Sequence, residues 1–110
     1  MQVFLATPPF TQLNTPYPAT AYLKGFLNTK GIASVQADLG LEVILDLFSA
    51  EGLRMMFASA GTETLSPNAR RILSLQHDYI SVVEPVTAFL QGRNPTLSLQ
   101  ICQGRYLPQA

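Results

Sequence analysis

The sequence predicts an α/β fold in which one βαβ unit opens a short parallel sheet and a helical second half follows. Three observations carry this. Val3, Phe4 and Leu5 form a continuous apolar run stopped by Thr7-Pro8-Pro9, the pattern of a strand buried on both faces. A stretch with helical spacing comes next, and then a second, partly β-branched run over residues 32–37. Beyond Gly40 the spacing of apolar residues is helical throughout.

Each element has its own punctuation. Thr15 is placed as a helix N-cap with Pro16 at the first helical position, where a missing N–H is harmless. Ala19, Tyr22, Leu23, Phe26 and Leu27 then recur on one helical face, and Gly31 closes the helix. Strand, helix and strand within about 35 residues match a right-handed βαβ crossover, so the two strands are expected to be parallel neighbours. After Asp38-Leu39-Gly40, Leu41, Ile44, Leu45 and Phe48 share a helical face, followed by Leu53, Met56 and Phe57 before Ala60-Gly61. Ser66-Pro67 repeats the cap-then-proline signal and opens a helix with Ile72, Leu75, Tyr79, Ile80 and Val83. Pro85 is expected to kink that helix or begin a new one bearing Val86, Phe89 and Leu90, which Gly92 ends. Asn94-Pro95 starts a last short helix through Leu97 and Ile101 to Gly104.

Two strands fall short of the sheet of about five strands on which a self-sufficient doubly wound domain is built. The expected architecture is therefore a truncated Rossmann-like unit: residues 1–61 as a βαβα unit and residues 62–110 as a helical extension of the same domain. The chain reads as the N-terminal piece of a longer protein, with apolar surface covered by the remainder or by another copy in a homo-oligomer.

Composition narrows the function classes. Seven basic and seven acidic residues among 110 leave no basic stripe for phosphates, so nucleic acid is not an expected partner. No apolar run approaches the roughly 20 residues that span a bilayer, and Met1-Gln-Val-Phe-Leu has no basic segment ahead of an apolar one. Cys102 is the single cysteine, which excludes an internal disulfide, and no metal-ligand spacing surrounds it. A cytoplasmic setting and no resident metal are expected.

In a doubly wound sheet, ligands settle outside the carboxyl ends of the strands, beside a helix N-terminus whose first amides lack partners. Pro8, Pro9, Thr11, Gln12, Asn14 and Thr15 lie on the loop after the first strand, and Asp38 follows the second. On spacing alone the plainer reading leads: the prolines stiffen a loop that has no Gly-rich turn, and an Asp before Leu-Gly is an ordinary turn former or cap. His77-Asp78 is no dyad, since neighbours on a helix point about 100° apart. Cys102 reads as a small buried hydrophobe, Met55-Met56-Phe57 as core, and Arg70-Arg71 as a solvated pair.

Thr7-Pro-Pro, Thr15-Pro-Tyr-Pro-Ala, Tyr22-Leu-Lys-Gly-Phe-Leu27 and Gln36-Ala-Asp-Leu-Gly40 carry a further signal. Over residues 5–48 the chain resembles the N-terminal, cobalamin-binding-type domain of cobalamin-dependent radical S-adenosylmethionine proteins, and more loosely so through Arg105-Tyr-Leu-Pro. The resemblance implies a Rossmann-like domain that holds cobalamin over a radical-generating barrel, with Pro8, Pro9, Thr11, Gln12, Asn14 and Thr15 near the cofactor crevice and Asp38 at its edge. It also implies that S-adenosylmethionine, the 4Fe-4S iron–sulfur cluster and catalysis belong to the barrel in the rest of the parent chain. Two departures bound it: the C-x-x-x-C-x-x-C triad is absent, and so is the Asp-x-His-x-x-Gly motif that supplies an axial histidine. Any corrin would bind without a histidine from this site.

The leading expectation is thus a cobalamin-binding-type domain of a radical S-adenosylmethionine enzyme, with no catalysis of its own. The alternative is a helical docking module that binds a partner through apolar helices and no cofactor. A receiver-like or flavodoxin-like domain ranks last, because Asp38 is the one acidic residue at a strand end.

Overall fold

A computed structural model of the chain describes residues 1–11, 14–15, 17–61 and 65–109. Gln12 and Pro16, both assigned roles above, lie outside the described residues. The described residues form two strands and six helices: β1 (Val3–Thr7), α1 (Ala19–Thr29), β2 (Ser34–Asp38), α2 (Leu39–Leu47), α3 (Ala50–Ser59), α4 (Pro67–Ser74), α5 (Gln76–Leu90) and α6 (Leu97–Cys102). Two compact units divide the chain, Met1–Leu45 and Asp46–Ala110, so the boundary falls inside α2.

The first unit is a parallel βαβ arrangement. β1 pairs with β2 in a register running from Val3 opposite Ser34 to Thr7 opposite Asp38, as expected of a strand pair joined through a helix. The ladder begins with the Val3 amide donating to the Ala33 carbonyl at 3.0 Å. α1 packs on one face of this pair.

α1 differs from its sequence reading at its start and in its face. It begins at Ala19 with Pro18 as N-cap, so Thr15 is not the cap. The Pro18 ring holds φ at −79°, and its carbonyl accepts the Tyr22 amide at 3.1 Å, which lets the helix nucleate there. Thr20 is buried, with Lys24 and Leu27 half-buried on the same side, whereas Tyr22, Leu23 and Phe26 are exposed. The cause is two hydrogen bonds: Gln36 Nε2 donates to Thr20 Oγ1 at 2.9 Å, and Lys24 Nζ donates to the Ser34 carbonyl at 2.9 Å. Gly31 closes α1 as expected, at φ +66°, with the Gly31 and Ile32 amides returning to the Asn28 and Leu27 carbonyls.

The second unit is helical. α3 packs on α5, which also meets α4 and α6, and the core holds Leu53, Val83 and Leu97. Phe57 and Tyr79 add a tilted ring pair with centroids 6.4 Å apart. Ser66 caps α4 as predicted, its Oγ accepting the Ala69 amide at 3.2 Å with Pro67 at the first helical position. The helix read across residues 66–83 breaks at Leu75, and α5 runs through Pro85 without ending. Pro lacks only the one amide that would reach back to Ser81, and half-buried Val82 and Val86 on either side of it hold the helix in place.

The chain turns between α2 and α3 at Ser49, whose Oγ accepts the Gly52 amide at 2.9 Å. Met55 and Met56 are exposed rather than core, and only Phe57 of that triplet turns inward. Cys102 is likewise exposed, because Leu97 takes the inward position of the short α6.

Candidate functional site

Both strands end on the same rim, where the loop after β1 meets the start of α2. Thr7, the last residue of β1, is buried and stands opposite Asp38, the last of β2. Asp38 caps α2: its Oδ1 accepts the Leu41 amide at 2.9 Å, satisfying one of the helix's free donors.

Gly40 fixes how close the loop comes. A Cβ on Gly40 would lie 3.2 Å from the Pro8 carbonyl oxygen, 3.3 Å from Asp38 Oδ1 and 3.8 Å from Pro9 Cα. The Pro8-Pro9 backbone therefore rests directly on the first turn of α2, so close that a side chain at residue 40 would require the loop to give by a few tenths of an ångström. The sequence placed Asp38-Leu-Gly40 at a turn; the packing of Gly40 under Pro8 becomes visible only once the two strands are side by side.

The rest of the described loop mixes polar and apolar residues, with Thr11 half-buried. Thr11 Oγ1 donates to the Pro8 carbonyl at 2.8 Å, folding the loop back on itself. Between them Phe10 holds φ +62°, a left-handed conformation that is uncommon for a bulky residue, and its ring stands in solvent. Pro8, Pro9, Asn14 and Thr15 are exposed. The structure thus brings Thr7, Pro8, Pro9, Thr11, Asp38 and Gly40 to one rim. Thr7 and Gly40 entered the sequence reading only as members of the motifs Thr7-Pro-Pro and Gln36-Ala-Asp-Leu-Gly40, and Phe10 not at all; the Pro-Pro-Phe-Thr run after the first strand was the available signal.

The rim presents hydroxyl and carboxylate groups, with the second oxygen of Asp38 free of any partner among the described residues. Among the described residues no group of three or more His, Cys, Asp or Glu stands close enough to hold a metal. His77, the chain's one histidine, belongs to α5 in the second unit and is half-buried, with exposed Asp78 beside it.

The second unit has a different feature. A groove of about 480 Å³ opens among Phe48, Met56, Phe57, Ile72, Tyr79 and Leu107, almost wholly apolar in its lining. Its size lies in the range of small-ligand sites. No helix among the described residues is long and apolar enough to cross a membrane. Comparison with protein-family models, curated proteins and solved structures returns no match.

Proposed function

We propose that this chain is the N-terminal, cobalamin-binding-type part of a radical S-adenosylmethionine enzyme, a Rossmann-like module that binds and orients a cofactor and performs no catalysis itself. The observation that carries the reading is the rim: two parallel strands end together, and Gly40 seats the Pro8-Pro9 backbone against the start of α2. Crevices outside the carboxyl ends of parallel strands are where α/β sheets take cofactors. The sequence resemblance over residues 5–48 supplies the cofactor's identity; of its motifs, Thr7-Pro-Pro and Asp38-Leu-Gly40 border this rim, while Tyr22–Leu27 lies on α1.

In this reading Pro8, Pro9, Thr11, Asn14, Thr15 and Asp38 would hold the corrin at its periphery, with Gln12 on the same loop. The corrin supplies cobalt chemistry to the barrel carried by the rest of the parent chain. The stiff Pro8-Pro9 segment fixes the height of the loop, and Asp38 and Thr11 keep the rim closed on itself. Two experiments test it. Titrating hydroxocobalamin into the chain and following the visible bands should show a saturable shift, weakened by Gly40→Ala, and bands unchanged at every ratio would refute binding. The coding sequence that follows the Ala110 codon should specify a C-x-x-x-C-x-x-C cluster, and its absence would refute the parentage.

A second reading, a docking module without a cofactor, is favoured by the apolar groove beside Phe48 and Tyr79. The same titration separates them, since that module leaves the corrin spectrum unchanged.

A further inference from the structure

The turn that carries Phe10 favours a different residue. Pro9 and Phe10 form the middle of the turn from Pro8 to Thr11, with φ +62° at Phe10. Proline followed by a positive φ is the type II pattern, whose second central position favours glycine or asparagine. Among the described residues Phe10 is the one non-glycine with positive φ. A large side chain held there costs stability.

Nothing within the chain offsets that cost. Phe10 is 81% exposed, and it enters no ring pair and no cation contact among the described residues. An exposed ring also forgoes the burial through which phenylalanine ordinarily stabilises a fold. A residue unfavourable in its backbone and idle in its side chain points to a contact made outside the fold.

The turn is anchored, so the place of the ring is set. Thr11 Oγ1 donates to the Pro8 carbonyl at 2.8 Å, and the first turn of α2 comes up against Pro8 and Pro9 at Gly40. Phe10 stands three residues beyond buried Thr7, where β1 ends level with β2. That is the carboxyl end of a parallel pair, the position at which α/β sheets take cofactors. Aromatic rings favour other flat rings, offset or edge to face.

We infer that Phe10 is a binding residue of the rim, and that its ring stacks on a flat conjugated group of the ligand seated there. The strained turn sets the ring out before the ligand arrives, so less ordering accompanies binding. This rests on the rim being a cofactor site, the reading proposed above, but not on the cofactor being a corrin. A corrin and a flavin both carry a conjugated ring system.

The test titrates the whole chain with hydroxocobalamin and, separately, with flavin mononucleotide, each followed in its visible bands. Phe10→Leu keeps the bulk and the left-handed backbone without the ring, and should weaken binding of the responding probe about five- to tenfold. Phe10→Trp keeps a ring and should bind within about twofold of the parent. Phe10→Gly should weaken binding as Phe10→Leu does, while its urea midpoint stays at or above the parent's because the turn is relieved. A purely structural role would not give that pairing. A shift with flavin mononucleotide alone, weakened by Phe10→Leu, upholds the inference and refutes the corrin reading. A hydroxocobalamin shift that folded Phe10→Leu and Phe10→Gly chains leave as tight overturns the inference while the corrin reading stands. So does a Phe10→Gly midpoint well below the parent's, and no shift with either probe overturns both.

Discussion

Gly52→Ala should destabilise the helical unit by about 2–3 kcal/mol, although Ala is the better helix former by about 1 kcal/mol. Gly52 sits in the first turn of α3, where a Cβ would lie 2.2 Å from the Asp46 carbonyl oxygen, 2.6 Å from that of Leu47 and 2.9 Å from the Leu47 carbonyl carbon. All three distances are inside the 3.0 Å that real Cβ atoms keep. The obstacles are backbone at the end of α2, so no rotamer change relieves them and the turn itself must open. Overpacking typically costs about 1–3 kcal/mol and occasionally more, and a cost of about 3–4 kcal/mol applies here because backbone has to move. Subtracting the propensity gain leaves the stated loss. A unit of 65 residues holds about 3–10 kcal/mol in all, so the change is a sizeable fraction. Urea unfolding followed by circular dichroism at 222 nm measures it, with a slope of about 1 kcal/mol/M for a body this small and a midpoint falling by about 2–3 M. Gly25→Ala is the control with the opposite sign: nothing lies within 4 Å of its Cβ, so it should gain about 0.5–1 kcal/mol in α1. A Gly52→Ala midpoint at or above the parent's would refute the argument.

Other outcomes follow from the same geometry. Asp38→Ala removes the acceptor of the Leu41 amide and should cost about 1 kcal/mol, while Asp38→Asn, which caps equally well, should cost only a few tenths; equal losses for both would mean the cap is not what Asp38 provides. Leu53→Ala, at a position 6% exposed in the helical core, should cost about 2–5 kcal/mol by the same urea titration, and a loss under 1 kcal/mol would place the core elsewhere. Cys102 is exposed, so an aromatic disulfide reagent should titrate one thiol in the folded chain without urea, and Cys102→Ser should leave the unfolding midpoint unchanged.

Local signals read well from the sequence wherever a short-range rule decided the outcome. Ser66-Pro67, Gly31 and Gly92 act where the cap rules put them, because a cap is settled by residues within one turn. The apolar run at Val3–Thr7 and its partner gave the parallel pair for a similar reason, a helix between two short apolar runs leaving few other topologies. The misses are tertiary. Tyr22, Leu23 and Phe26 looked like the buried stripe of α1, but the bonds from Gln36 and Lys24 turn Thr20 inward instead. Leu75 looked continuous with its neighbours, and the bend there depends on packing among α3, α4 and α5 that no local window contains. At the rim, Pro8, Pro9 and Asp38 were legible as punctuation. The approach that joins them through Gly40 is a contact between segments about 30 residues apart, beyond the reach of spacing.

The paired bonds under α1 have a mechanical consequence. Thr20 and Lys24 are one turn apart, about 6 Å along a helix, and their partners Gln36 and Ser34 are two residues apart, about 6.6 Å along a strand. The two spacings match, so the bonds act as pegs in a ladder: helix and strand cannot slip past one another by a turn without both letting go. An oily seam would resist such sliding only weakly, since one apolar contact replaces another. Alignment in this half of the chain is therefore set by polar pegs, and salting-out anions such as sulfate, which strengthen apolar burial, should firm the half built on Leu53, Val83 and Leu97 more than this one.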